Sequence, residues 1–181
     1  MEMKQMKEFT IPFVGLKTGK HNFEYSINDS FFEHFEYEGF NTVDVKVKLV
    51  LEKKTTLLEL NFNITGHVNV NCDLTNEPYN QSIEDKFKLV VKFGSEYNDD
   101  NEDILIIPHG EYEINVAQYI YELIVLAVPA KRVHPGIEDG TLKSDILSKL
   151  EELSPQKGDD EKESEDIDPR WNNLKKLLTD K

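Results

Sequence analysis

The sequence predicts an α+β fold: a mostly antiparallel sheet covered by one long buried helix, with a short helical C-terminal tail. Three observations predict it. Residues 43–72 alternate apolar and polar side chains in two consecutive runs, and a period of two marks half-buried strands. Ile114–Val128 is apolar nearly all round, as expected of a helix buried on most sides. All ten Phe and all seven Tyr precede residue 142, and Trp171 is the only aromatic beyond it. The expected division is a body over residues 1–142 and a charged tail over 143–181.

Along the body, Glu8–Val14 reads as a strand, and Lys17-Thr18-Gly19-Lys20 as a turn into a second strand, His21–Ile27. Asn28-Asp29-Ser30 offers caps for a short helix, Phe31–Tyr37, stopped by Gly39. Val43, Val45, Val47, Leu49 and Leu51 then mark one face of a strand. Leu58 through Cys72 place apolar residues or glycine at every even position. That is one long strand, or two meeting in register at a bend or bulge at Gly66. Ile83–Phe93 follows, then an acidic loop, a short strand at Ile104–Ile107, and the Ile114–Val128 helix ended by Pro129. The core should include Val45, Val47, Leu49, Leu60, Phe62, Ile64, Leu89, Val91, Phe93, Ile120, Leu123, Ile124 and Ala127. In the tail, Ser144–Leu153 is amphipathic. Residues 154–166 have no apolar side chain to offset the entropy of ordering, so they are expected to be a flexible linker. Asp168 caps and Pro169 opens a terminal helix over 169–178, whose Trp171, Leu174 and Leu177 share a face.

Composition narrows the function. Acidic residues outnumber basic ones 35 to 21, for a net charge of −14. Such a chain has no broad electrostatic grip on phosphate, since nonspecific nucleic-acid binding is carried by Lys and Arg. No 20-residue apolar stretch spans a bilayer, and Met1–Glu8 lacks the apolar core of a signal peptide. The expected compartment is the cytoplasm.

Candidate chemistry is sparse. The single cysteine, Cys72, continues the apolar face of its strand while His67 lies on the opposite one. Three or four converging ligands are therefore not in prospect, and no metal or other cofactor is expected. There is no nucleophile elbow and no phosphate loop, so neither an enzyme nor a small-molecule substrate is indicated. Glu96, Asp99, Asp100, Glu102 and Asp103 make a dense acidic loop without EF-hand spacing. It reads as a solvated hairpin loop or as a docking surface for a basic partner. Lys131, Arg132, Arg170, Lys175 and Lys176 lie near helix ends, where they complement the helix dipole or make local contact with RNA phosphate.

Four landmarks, taken in order, resemble the YceD family, the large ribosomal RNA subunit accumulation proteins of bacteria and plastids. They are Gly66-x5-Cys72-x-Leu74, Leu89-Val90-Val91-x-Phe93 leading into acidic residues, Tyr121-Glu122 through Val128-Pro129, and Asp168-Pro169-Arg170-Trp171-x2-Leu174-x2-Leu177. The resemblance covers roughly residues 12–178. Its most specific parts are the helix running through Glu122 to Pro129 and the terminal Asp168-Pro169-Arg170 with Leu174. Family members often carry C-x-R-C where this chain has Cys72-Asp73-Leu74-Thr75. Many carry another cysteine after the proline, where this chain has His134. If those cysteines bind metal in relatives, this chain has lost the site.

The resemblance implies a non-enzymatic ribosome-biogenesis factor. It would support synthesis, processing or stability of large-subunit (23S) rRNA, with that rRNA or a basic ribosomal protein as partner. The competing expectation is an acidic protein–protein adaptor unrelated to ribosomes, working through the Asp-rich loop and the terminal helix.

Overall fold

The computed structural model describes residues 6–142 and 145–153. The chain divides after residue 144 into two units, and the second contributes one described helix, α4 (Asp145–Leu153). Among its described residues the first unit holds eight strands, three α-helices and a 3-10 turn at Lys7–Phe9.

Most of it is sheet. β2 (Gly19–Ile27), β3 (Thr42–Lys53), β4 (Leu57–Asn71) and β5 (Pro78–Gly94) pair in sequence order, each antiparallel to the last. β6 (Asn98–Asn101) and β7 (Ile104–Pro108) complete a six-stranded sheet in the order β2-β3-β4-β5-β7-β6, and β7 runs parallel to β5. A separate clasp pairs β1 (Thr10–Ile11) with β8 (Ile114–Asn115).

Alternation decides the faces. Val43, Val45, Val47, Leu49 and Leu51 of β3 are buried, as are Leu58, Leu60, Phe62, Ile64, Val68 and Val70 of β4. The register sets these beside Ile83, Leu89 and Val91 of β5. At Gly66 the ladder continues without a register shift, so the expected bend or bulge is absent. The glycine serves packing instead: a Cβ there would run into the Asp44 carbonyl oxygen and the Val45 Cα. The β3 backbone approaches too closely there for any side chain.

The expected α+β architecture is overturned. Strand accounts for 46% of the structure, the helices of the first unit are short, and no long helix covers the sheet. The apolar run Ile114–Val128 does not form one helix. Ile114 and Asn115 pair with Ile11 and Thr10, and the Val116 N–H donates to the Phe9 carbonyl. The Asn115 side chain donates to Thr10 Oγ1 at 2.9 Å, while its Oδ1 accepts the Ala117 N–H at 2.9 Å. These backbone groups are spoken for, so the helix α2 starts only at Ala117 and ends at Ala127, before Pro129.

Eleven residues at 1.5 Å each make a rod about 16 Å long. Six strands about 4.8 Å apart make a sheet about 24 Å wide, and β5 alone is roughly 55 Å long. Periodicity announced an apolar segment here but could not say that its first three residues join a sheet.

Other parts cover the rest of the inner face. Phe9, Ile11 and Phe13 of the N-terminal segment are buried, and the Lys53 ammonium donates to the carbonyls of Phe13, Val14 and Leu16, fastening that segment to the end of β3. The short helix α1 (Asp29–Glu33) inserts Phe31 and Phe32 into an aromatic cluster with Phe35, Tyr37, Phe40 and Tyr121. Within the expected core, Phe93 and Ala127 are only half-buried, and the others are buried.

Candidate functional site

The acidic segment after β5 is not a plain loop. Residues Asn98–Asn101 form β6, and local bonds shape the turns around it. Tyr97 Oη donates to Asp99 Oδ2 at 3.1 Å, Asn98 Nδ2 to Asp100 Oδ2 at 2.8 Å, and the Asp103 N–H to Asn101 Oδ1 at 3.0 Å. Three ion pairs occur among the described residues: Lys54–Glu59, Lys88–Glu59 and Arg132–Asp73. None of the five loop carboxylates takes part in them.

A groove of about 1360 Å3 runs between the acidic segment, the inner side chains of β5 and β7, and the outer side of α2. From the acidic segment it takes Asp99, Glu102 and Asp103, while Glu96 and Asp100 do not line it. The fold adds Asp85, Glu111, Glu113 and Glu122. Against seven carboxylates the lining offers one cation, Lys86. The walls are aromatic: Phe87 and Tyr119 stack with centroids 6.4 Å apart, and Tyr121 stacks on Phe35 at 4.3 Å. Tyr97 and Leu126 stand exposed at 58% and 79%, although apolar side chains of that size usually seek cover. Burial pushes the Tyr119 phenol well up, and the neighbouring charges of Tyr97, Asp99 and Glu122 push it further. Local potential in the groove is negative.

Glu122 was legible in the sequence, where it lies within the helix motif. It stands on the solvent side of α2, its carboxylate accepting from Gln118 Nε2 at 2.6 Å. Pro129 closes the same helix as an exposed residue. Asp85, Glu111, Glu113 and the aromatic walls were missed, because their convergence is set by sheet register and by the length of α2 rather than by any local spacing.

A second cluster gathers at the far end of β4. Cys72 is buried, and its Sγ accepts the His134 N–H at 3.3 Å. Burial pushes the thiol up, but hydrogen bonds from the Thr75 hydroxyl and from the backbone at His134, Leu74 and Thr75 outweigh it and lower it below its ordinary value. Asp73 accepts the Arg132 N–H at 2.7 Å and its guanidinium at 3.0 Å, and donates its own N–H to the Arg132 carbonyl. Arg132 therefore ties the β4–β5 turn to the segment after α2, while Lys131 beside it is exposed. His134 Nδ1 accepts the Gly136 N–H at 2.9 Å and so caps α3 (Pro135–Glu138).

Leu74 is exposed at 40% in the same turn. Cys72, Thr75 and His134 thus meet in one cluster. One thiol and one histidine already holding a backbone N–H do not suit a zinc ion, and no group of three ligands occurs among the described residues. Arg170, Lys175 and Lys176, with Asp168, Pro169 and Leu174, lie outside the described residues, as do the linker and the terminal helix expected there.

The outer face of the sheet mixes both signs, Lys46, Lys48 and Lys88 standing exposed there with Glu24, Asp44 and Glu84, whereas carboxylates outnumber cations seven to one in the groove. Among the described residues no helix is long and apolar enough to cross a membrane.

Fold and groove together define a class: a mainly-β domain with an acidic groove, partly walled by aromatic rings, beside its short helix α2. The family model described as Large ribosomal RNA subunit accumulation protein YceD matches residues 60–178, two thirds of the sequence, and the chain belongs to that family. The match begins within β4 and takes in the groove-forming β5–α2 region and the Cys72 turn. No curated protein and no solved structure matches the chain.

Proposed function

We propose that this protein is a non-enzymatic ribosome-biogenesis factor of the cytoplasm that supports the accumulation of large-subunit rRNA through a basic ribosomal protein. Membership of the YceD family supports the role in large-subunit rRNA accumulation. One observation supports the indirect route: seven carboxylates converge on a single groove in a protein of net charge −14. Such a surface repels RNA phosphate and attracts Lys and Arg, steering association and shielding a basic partner from premature RNA contact. RNA contact is then local, through Lys131 and the basic residues of the tail.

Depletion of the protein should lower large-subunit rRNA while small-subunit rRNA holds steady, measured by quantitative rRNA profiling. Affinity purification with and without ribonuclease should recover large-subunit ribosomal proteins in both cases. Tight binding of the isolated protein to naked rRNA, lost when Lys131 and the tail cations are neutralised but not when the acidic residues are, would sink the indirect route. A defined non-ribosomal partner would favour the adaptor reading instead.

A further inference from the structure

The groove beside α2 differs from a solvated acidic loop in three respects, and each restricts what it can hold. At about 1360 Å3 it exceeds the roughly 300–1,000 Å3 of ordinary small-molecule pockets, so a length of polymer suits it better than a metabolite. Its carboxylates come from β5, the acidic segment, the β7–β8 connection and α2, so negative charge surrounds the space on several sides. Its apolar lining sets five aromatic rings among aliphatic side chains, with Tyr97 exposed at the rim and Tyr119 packed on Phe87 behind it.

Carboxylates alone would welcome any cation. Carboxylates beside open ring faces favour the guanidinium, whose planar fork bonds a carboxylate bidentately while its flat face stacks on an aromatic ring. A lysine ammonium is more strongly hydrated and gains less from the rings. Nucleic acid is excluded by charge, and no three-ligand group for a metal is present among the described residues.

We propose that this groove is the docking site for an extended, arginine-rich segment of a basic protein, with guanidinium groups held between Asp99 and Glu122 and stacked on Tyr97 and Tyr119. The proposal rests on the functional reading above and specifies its partner surface. Bonding is noncovalent throughout.

The test uses the full chain and two fluorescent probes of equal length, an oligo-arginine and an oligo-lysine peptide of about ten residues. The arginine probe should bind roughly tenfold tighter than the lysine probe. Tyr97→Ala removes an exposed ring without touching the core, and should weaken the arginine probe about fivefold while leaving the lysine probe almost unchanged. Asp99→Lys with Glu122→Lys should abolish binding of both. Glu24→Lys with Asp44→Lys makes the same change in net charge on the outer face of β2 and β3, two or more strands from β5, and should leave binding within about twofold, because exposed charges beyond a Debye length are screened.

Equal loss in the outer-face pair, or no preference for arginine, overturns the proposal. Circular dichroism of each variant guards against unfolding. In cells the two readings separate. If removing the protein lowers large-subunit rRNA but the Asp99→Lys, Glu122→Lys variant restores it fully, the groove proposal falls and the functional reading stands. If removal leaves large-subunit rRNA unchanged, the functional reading falls and peptide binding alone decides the groove.

Discussion

Asp73 and Arg132 show how a single ion pair fastens two segments distant in the sequence. The pair joins the β4–β5 turn to the segment that follows α2, through both side chains and both backbones. Hydrogen bonds from the Arg132 N–H, and then from its guanidinium, hold the Asp73 carboxyl below the usual range. A depressed folded value means that the contribution is complete above the unfolded pKa of about 3.9 and fades as pH falls through the lowered folded value. Asp73→Asn should therefore lower Tm most near neutral pH, and its gap from the parent protein should close below about pH 4 in a pH series of thermal melts. Cys72→Ser should destabilise by about 1–2 kcal/mol in denaturant titrations, because a buried sulfur holding a backbone N–H is exchanged for a smaller, more polar oxygen. It should release no metal in elemental analysis. Gly66→Ala should cost roughly 1–3 kcal/mol by the same titration, since its Cβ meets backbone that cannot move aside.

At the scale of elements, what could be read from the sequence follows the physics of each signal. β3 and β4 were legible because one face is buried and the other wet, so the pleat writes itself into the residues from Val43 to Cys72. β5 was half legible: its inner row passes through Gln81 and Asp85, which break the apolar pattern, and its start at Pro78 carried no strand signal. The pattern over Glu8–Val14 predicts a strand, yet only Thr10 and Ile11 join one, and residues 13–16 are held largely by a side chain about forty residues away. No local pattern encodes the reach of Lys53. Replacing it by Met should remove three charge-assisted hydrogen bonds and loosen residues 13–16 with a loss of roughly 1–3 kcal/mol. Faster amide exchange confined to that segment is the measurement that checks it. The helix was overestimated for a related reason: an apolar residue is equally at home in a helix or a clasp, and the backbone partners decide.

For the molecule as a whole, charge contributes little to stability and gathers in one place. Three partly exposed ion pairs among the described residues are weak supports for a fold with thirty buried apolar side chains. The groove, in contrast, concentrates seven carboxylates with one cation. Raising salt from about 0.05 to about 0.5 M should weaken capture of an arginine-rich peptide severalfold while moving Tm little, a contrast that paired titration and melting experiments would read. Parallel loss of both would mean that charge holds the fold itself. The acidic loop was visible in the sequence as a run of charge. Its enlargement into a groove was not, since that depends on how far an eleven-residue helix reaches across a sheet.

The β1–β8 clasp carries a consequence for the order in which this chain folds. β3, β4 and β5 are joined by short turns, so their ladders can zip from nearby residues, whereas Ile11 meets Ile114 only across most of the first unit. Bringing together ends about a hundred residues apart costs about 3 kcal/mol more than closing a four-residue turn. The clasp is therefore expected to close after the sheet has formed, and the start of α2 with it, because the Asn115 side chain that receives the Ala117 N–H also holds Thr10 and Met6. On that order the groove beside α2 takes shape last, once the sheet is complete.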